Sequence, residues 1–416
     1  MYDYLLPGFI VLMVALGFVA FTIGRRRAAR VRAEGTTMRS QPGQYGWFMT
    51  LASVGGATAT IFLCWLFLLI VGSVIPFYSL YFIGIAAALL GLGFGLRYVQ
   101  PEFHARNAIE WVIRFMLAGA ALISILTTIG ILVSVIREAL HFFSLYSFWD
   151  FVTGTTWSPG SSFQITEGSS SSSRAAEFGS LPLFAGTFMI ALIAMLVAIP
   201  VGLGSAVYMV EFAPRRVRQI AKPVLEVLAG IPTVVYGYFA AITVSPLVVD
   251  AADVFGLDAS YTNALSPGIV MGIMIIPFIS SLSDDVINSV PQSLRQGALA
   301  LGTTKGEMIR NVVLPTAMPG IIAASLLAVS RALGETMIVV MAAGMSPNLT
   351  ANPLENVTTV TVSIVASLTG DLSFDSAYTL SAFALGLVLF AVTLMLNLLS
   401  VFMITHFREK YRINTI

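Results

Sequence analysis

The chain is poor in charged residues, cysteine and histidine, and each shortage excludes a class of protein. Only 10% of its 416 residues are Asp, Glu, Lys or Arg, whereas an average globular domain has about 25%. A surface with so little charge does not suit water, so we expect lipid to surround much of the chain. The single cysteine, Cys64, lies in an apolar run, which excludes intramolecular disulfides and thiolate metal sites.

Signatures of catalysis and of nucleotide binding are also missing from the sequence. No G-x-x-x-x-G-K-[S/T] motif occurs, so the chain has no P-loop with which to hold ATP phosphates. The three histidines, His104, His141 and His406, are far apart and form no metal-binding or nucleophile–base pattern. We therefore expect no enzymatic activity, no metal, no cofactor and no nucleic-acid partner.

Long apolar runs make up most of the sequence instead. A membrane span needs about 20 mostly apolar residues to cross about 30 Å of hydrocarbon. The runs are continuously apolar rather than alternating, which favours helices over a β-barrel. The sequence predicts an all-α integral membrane protein, a polytopic helical bundle of about nine spans. These spans are 4–23, 48–71, 78–96, 113–135, 181–205, 223–248, 265–283, 319–344 and 379–404.

The basic residues predict the orientation of this bundle. If the N-terminus is outside, most of the 22 Lys and Arg residues fall in inside segments, including the C-terminal tail, as the positive-inside rule requires. The apolar stretch 4–23 precedes the arginine cluster of 25–32 and has no basic region ahead of it, so we expect a retained span rather than a signal peptide. The predicted topology is N-out and C-in.

The longest inside segment, 284–318, has the pattern of two short helices. Apolar residues recur at helical spacing on either side of Gly302, and Gly302-Thr-Thr interrupts that pattern. A hairpin of this kind is suited to docking in a cleft of a cytosolic partner. Packing of an interfacial helix under its own bundle is the alternative.

This segment resembles the cytoplasmic EAA loop of ABC importer permeases, whose first short helix is a coupling helix that docks on the nucleotide-binding subunit. Gln296 replaces the acidic residue of the family pattern, and Gly297 replaces its first alanine, at a cost of up to about 1 kcal/mol of helix propensity. The remaining spacing is kept, and the resemblance implies an ATPase-docking loop. Its residues are Gln296, Gly297, Ala298, Gly302, Val312, Leu314 and Pro315.

Two further motifs are similar to the permeases of Pst-type phosphate importers, and the second is closer to the C-type subunit than to the A-type subunit. They are Ala229-Gly-Ile-Pro-Thr-Val-Val-Tyr-Gly237 and Ser330-Arg-Ala-Leu-Gly-Glu-Thr-Met-Ile-Val-Val-Met-Ala-Ala-Gly344. The resemblance begins near residue 110. It implies that 101–416 is an ABC importer permease core of six spans, and it leaves 1–100 as an accessory region with three transmembrane helices.

The resemblance also implies a function and a set of partners. The chain would be the permease subunit of an ATP-driven importer that moves inorganic phosphate across the bacterial inner membrane. Its partners would be a second permease of similar fold, a cytosolic ATP-binding subunit dimer and an external phosphate-binding protein. A permease for sulfate or molybdate, a secondary transporter, and a membrane sensor of phosphate status are the alternatives.

Arg331 is the one basic residue that falls deep inside a predicted span, near the middle of 319–344, and Glu335 lies four residues further on. On a continuous helix these side chains share a face and can pair. A charge near the midplane costs about 2.5–3.5 kcal/mol, so the pair needs an explanation. A guanidinium suits a tetrahedral oxyanion, and we predict that Arg331 and Glu335 lie on the substrate pathway. A buried ion pair without a transport role is the alternative.

Span 223–248 contains two helix-disturbing residues, Pro232 and Gly237. Proline removes an N–H donor and glycine loosens the backbone, so both are expected to interrupt the helix. The candidates for a gate are therefore Pro232, Tyr236 and Gly237, although kinks that serve only packing are common in membrane helices. In the N-terminal spans, Gly91 and Gly95 form a small-residue pattern that is typical of packed helices.

Overall fold

The computed structural model describes residues 5–34, 38–71, 77–159, 177–370 and 376–410. The chain divides into two compact units, Met1–Gly130 and Ile131–Ile416. The helices of the first unit are α1 (Leu5–Ala33), α2 (Pro42–Thr50), α3 (Gly56–Val71), α4 (Phe77–Tyr98) and the first part of α5 (Ala105–Leu145). A π-helical turn, Leu51–Gly55, joins α2 to α3.

The second unit begins within α5, and in its described part helices are joined by loops and by one small β-hairpin. Two short antiparallel strands, β1 (Trp157–Ser158) and β2 (Glu177–Phe178), form that hairpin. Its helices are α6 (Phe148–Thr153), α7 (Leu181–Val207), α8 (Arg215–Ala229), α9 (Thr233–Phe239), α10 (Ser245–Val254), α11 (Leu265–Asn288), α12 (Gln292–Ala300), α13 (Lys305–Met308), α14 (Leu314–Leu333), α15 (Met337–Ala342), α16 (Val360–Gly370) and α17 (Ala377–Lys410).

The predicted number of spans is confirmed. In the described part of the chain, nine helices are long and apolar enough to cross a membrane. Several extend past the predicted limits, because charged ends of a helix stay helical outside the apolar run. These nine are Pro7–Ala33, Pro42–Leu68, Ser79–Tyr98, Ala105–Leu145, Leu181–Phe212, Thr233–Val254, Leu265–Asn288, Lys305–Leu333 and Ala377–Met403.

Close helix approach organises the first unit. Lipid tails are as apolar as the helices, so small residues that let backbones meet contribute much of the packing. A Cβ added at Gly91 would overlap the carbonyl oxygen of Ala52, and one at Gly95 would lie 2.9 Å from the sulfur of Met49. The predicted packing role of this glycine pair is confirmed, because it lets α4 contact α2 and its π-helical turn.

The centre of the second unit is the parallel pair α7 and α11. Positions along the two helices match in the same direction: Gly268 lies against Ile193, Gly272 against Val197, and Gly202 against Ile279. Two parallel spans must cross the membrane in the same sense. The chain between them must therefore cross the membrane once in the opposite direction, and α9 and α10 provide that crossing.

Three buried clusters fill the second unit. A central cluster contains Ile275 and Ile279 of α11. An aromatic cluster around Phe142 and Phe151 lies near the start of α7. A third cluster, with Ile287 and Val313, joins the end of α11 to the beginning of α14. The α7–α11 pair therefore connects the last cluster, which includes Ala298 and Met308 of the segment after α11, to the rest of the second unit.

Candidate functional site: a latched hairpin and two helix breaks

The segment after α11 folds as a hairpin. This confirms the prediction that the chain turns at Gly302, between two helical arms. Helix α12 ends before Gly302, whose φ of +85° favours a residue without a Cβ. Thr304 and Glu307 then form a capping box that starts α13: the Glu307 carboxylate accepts the Thr304 N–H at 2.8 Å. The second arm is not a separate helix, however. It continues through a π-helical turn, Ile309–Val313, into α14.

The two faces of α12 have different surroundings. Ala298 is buried against the bundle, whereas Gln296, Gly297 and the tip residue Leu301 are exposed. A Cβ added at Gly297 would meet nothing within 4 Å, so the glycine is not required by packing within this chain. Leu314 and Pro315 begin α14 and are partly buried. The exposed face of α12 therefore points away from the rest of the second unit.

A buried ion pair ties the inner face of α12 to the π-helical turn that follows α7, and sequence reasoning did not find it. Arg295 contacts the Glu211 carboxylate through Nη1, and the two side chains are only 8% and 6% exposed. Arg295 also donates to the carbonyl of Ile287 at 2.5 Å and to that of Val290 at 3.4 Å. We call this the Arg295 latch. Its sequence signal is weak: Arg295 lies three residues before Ala298, on the face expected to be apolar.

Lys305 strengthens the same attachment from the second arm of the hairpin. Its ammonium donates to the backbone carbonyl of Glu211 and lies 4.8 Å from the centre of the Phe212 ring. Both arms are thus fixed to the π-helical turn Tyr208–Phe212, which continues α7. A displacement of the hairpin would be transmitted directly to the central helix pair.

A second charged cluster joins α8 to the end of α11. The Asp284 side chain is 1% exposed and accepts from Arg218 Nη2 at 3.1 Å, from Lys222 at 3.3 Å and from Asn288 at 3.3 Å. Each cation is about one-third exposed. A buried carboxylate with several charged donors is well satisfied, so the cluster holds the basic side of α8 against α11.

We expect Asp284→Ala to lower the free energy of unfolding by about 1–3 kcal/mol, the usual effect of losing charged hydrogen bonds. Both cations keep access to solvent, which limits the loss. Asp285→Ala is the matched control, because Asp285 is 68% exposed and has only a 3.8 Å contact with Lys222. We expect it to change stability by less than about 0.5 kcal/mol. Thermal unfolding in detergent measures both, and equal effects would contradict the assigned role of Asp284.

The predicted span 223–248 is wrong at its beginning. The helix is interrupted between Ala229 and Thr233. As a result, α8 is a separate amphipathic helix and the span starts at Thr233. Pro232 is the N-cap of α9, where its missing N–H is harmless. The Tyr236 hydroxyl donates to the carbonyl of Leu228 at 2.9 Å and so bridges the break. Pro232 therefore interrupts the helix as predicted.

Gly237 does not interrupt the helix, and that prediction is wrong. It lies inside α9 and provides a close contact with α15: an added Cβ would lie 2.9 Å from the Met341 sulfur and 3.0 Å from the Met337 carbonyl oxygen. Tyr236 and Gly237 are both buried. Of the gate candidates, Gly237 is thus packed directly against α15.

Gly237→Val is expected to separate α9 from α15 and to destabilise the chain by about 1–3 kcal/mol, as overpacking typically does. Gly204→Val is the matched control, because an added Cβ at Gly204 in α7 meets nothing within 4 Å. Unfolding midpoints in the same detergent compare the two variants. An equal shift for both would contradict the close-approach role of Gly237.

The predicted span 319–344 is also wrong, because α14 ends at Leu333. Gly334 follows as the C-cap, and α15 starts only at Met337. Apolar residues continue on both sides of this interruption, so the overall apolar pattern did not reveal it. Arg331 lies in the last turn of α14 and Glu335 lies outside the helix, so they do not share a helical face.

Arg331 and Glu335 have separate surroundings. No ion pair among the described residues joins them. The Glu335 carboxylate accepts the backbone N–H groups of Thr336 at 3.2 Å and Met337 at 3.1 Å. The exposed Arg331 guanidinium lies 5.8 Å from the centre of the Phe278 ring of α11. The predicted pairing is wrong, and among the described residues the Arg331 guanidinium has no hydrogen-bonding partner.

Nine apolar helices in the described residues and the hairpin of α12 and α13 are typical of a membrane permease, and comparison with known proteins agrees. Residues 198–413 match the family model described as "Binding-protein-dependent transport system inner membrane component". The chain belongs to this family of ABC importer permeases. Residues 10–77, in the N-terminal unit, match a second family model described as "Phosphate ATP-binding cassette transporter".

Several relatives carry the name of the C-type permease of phosphate importers, which confirms the resemblance found in the sequence. "Phosphate transport system permease protein PstC 1" of Mycobacterium tuberculosis is 34% identical, over 62% of this chain and 80% of that protein. PstC of Haemophilus influenzae is 30% identical, over 76% and 96%. The "Probable ABC transporter permease protein YqgH" of Bacillus subtilis is 31% identical, over 69% and 88%.

Proposed function

We propose that this chain is the transmembrane subunit through which an ATP-driven importer moves inorganic phosphate across the bacterial inner membrane. The observation that carries the proposal is the hairpin. Its inner face is tied to α7 by the Arg295 latch, while Gln296, Gly297 and Leu301 are exposed on its outer face. A rigidly attached helix with one exposed face is suited to receive force from a partner that binds there.

The proposed partners are a dimer of cytosolic ATP-binding subunits, a second permease of similar fold and an external phosphate-binding protein. The ATP-binding subunit would hold the exposed face of α12 in a groove, since this chain has no P-loop of its own. Closure of the ATPases would move the hairpin, and the latch would carry the movement to α7. The bundle would then switch between inward- and outward-facing states.

Phosphate is the proposed substrate because the relatives named as phosphate permeases cover most of this chain. We propose Arg331 as the residue on the substrate pathway that binds the oxyanion, since its paired N–H donors suit phosphate geometry. Glu335 fixes the start of α15 beside it. Pro232, Tyr236 and Gly237 form the proposed gate: Pro232 caps α9 at the first helix break, Tyr236 bridges that break, and Gly237 contacts α15.

We further propose the N-out, C-in orientation that the basic residues favour. In this arrangement, 101–416 is the six-span permease core, 284–318 is its cytoplasmic coupling loop, and 1–100 is an accessory region with three transmembrane helices. Deleting 1–100 tests the last assignment. Unchanged assembly and unchanged uptake are expected for an accessory region, and loss of the assembled transporter would contradict it.

Uptake of labelled phosphate at low micromolar concentration tests the substrate. Host cells lacking the gene would be complemented with the wild-type chain, and excess sulfate or molybdate would be added as competitors. We expect restored uptake that neither competitor reduces, because an importer for phosphate should reject both other oxyanions. Two outcomes would contradict phosphate as the substrate: phosphate uptake that does not depend on the gene, or uptake that sulfate or molybdate reduces.

A further inference from the structure

An apolar groove of about 630 Å³ runs along α1 in the N-terminal unit. Helix α1 forms one wall with Ile10, Val14 and Phe18, and the other wall includes Trp47 and Val54. The hydroxyl groups in the lining do not make it polar, because they donate to backbone carbonyls within the unit. The groove therefore suits a hydrocarbon chain rather than a polar ligand.

The length of the groove matches one leaflet of a bilayer. From Phe9 to Phe21, the α1 wall covers 13 residues, a rise of about 18 Å at 1.5 Å per residue. Half of a hydrocarbon core about 30 Å thick is about 15 Å. Trp47 contacts Phe21 at 5.3 Å between ring centres and is exposed, as expected for an aromatic residue at the membrane–water boundary.

Basic residues continue the wall at this end of the groove. With 3.6 residues per turn, Arg25 and Arg32 follow Phe21 on the groove side of α1, whereas Arg26 and Arg30 lie on the opposite side. All four side chains are at least partly exposed, and none takes part in an ion pair within the part of the chain that the structure describes. Uncompensated arginines beside a span attract anionic headgroups.

We propose that this groove binds a phospholipid with an anionic headgroup. One acyl chain fills the space between α1 and the opposite wall of α2, its π-helical turn and α3. The headgroup phosphate binds Arg25 and Arg32 at the membrane surface. This site lies within the N-terminal unit and takes the phosphate group of a lipid, not the free anion proposed as the transported substrate.

Titration of the full-length chain in detergent, followed by native mass spectrometry, tests the headgroup. We expect phosphatidylglycerol to bind and phosphatidylcholine with the same acyl chains to bind far more weakly. Arg25→Gln with Arg32→Gln should weaken phosphatidylglycerol binding about 30-fold. Arg26→Gln with Arg30→Gln removes the same charge from the opposite side and should change binding less than about threefold. Equal losses in the two double variants would overturn the site.

Filling the groove tests the acyl chain independently of charge. Val14 lines the groove and Val11 does not, and both are 68% exposed. Val14→Trp should therefore weaken phosphatidylglycerol binding about tenfold or more, the order expected when a few buried CH₂ groups are displaced. Val11→Trp should bind as the wild type does. Three results would each overturn the proposal. They are normal lipid binding by Val14→Trp, competition of inorganic phosphate with the lipid, and a second membrane protein found in the groove.

Discussion

Arg295→Ala is expected to be among the most damaging single substitutions in this chain. It removes the counter-ion of Glu211, whose side chain is only 6% exposed, and breaking a buried pair from one side costs about 3–5 kcal/mol. The hairpin also loses its hydrogen bonds to the carbonyls of Ile287 and Val290. We expect a large fall in unfolding temperature in detergent, together with loss of ATP-driven uptake.

Two controls separate the latch from a general effect of removing an arginine. Arg310→Ala removes an exposed arginine from the same segment and should leave stability nearly unchanged. The double variant Glu211→Leu with Arg295→Met removes both charges, and such replacements are often neutral or stabilising. We expect it to recover most of the lost stability. An Arg295→Ala variant as stable as Arg310→Ala would contradict the latch.

Arg331→Gln is expected to reduce phosphate uptake about 10- to 100-fold without unfolding the chain. Charged hydrogen bonds contribute about 1.5–3 kcal/mol each, and glutamine removes the positive charge and most of the donors. The fold should survive because Arg331 is exposed and lies at the end of α14. Initial uptake rates, measured at equal membrane content of the protein, give the comparison.

Two matched variants make this result specific. Arg331→Lys keeps the charge but loses the paired N–H geometry, so we expect an intermediate uptake rate. Arg137→Gln makes the same chemical change at an exposed position of α5 and should transport as the wild type does. Equal uptake by Arg331→Gln and the wild-type chain would remove Arg331 from the substrate pathway.

The sequence predicted those parts of the fold that depend on local pattern. Hydropathy was sufficient to count nine spans, and the interruption at Gly302 was sufficient to place the hairpin turn. The break at Gly334 was missed because 319–344 is apolar on both sides of it. A glycine directly after Arg331-Ala-Leu was the available signal, and its significance depends on the packing of α15 against α9.

Charge pairs between distant segments were the other missed feature. Glu211 and Arg295 are 84 residues apart, and Arg218 and Asp284 are 66 apart, so spacing along the chain gave no sign of either contact. In the sequence, Arg218 and Arg295 stand out only as basic residues of inside segments, and Glu211 gives no signal of its own. Which of them become buried depends on how α7, α8 and α11 pack, and that information is not local.

The central claim is that this chain carries phosphate when a separate ATPase acts on its hairpin. Reconstitution in proteoliposomes with the second permease, the ATP-binding subunits and the phosphate-binding protein tests it most directly. We expect labelled phosphate to accumulate only when ATP is supplied to the ATPase side, and not in response to a proton or sodium gradient alone. Accumulation driven by an ion gradient without ATP would contradict the account and identify the chain as a secondary transporter.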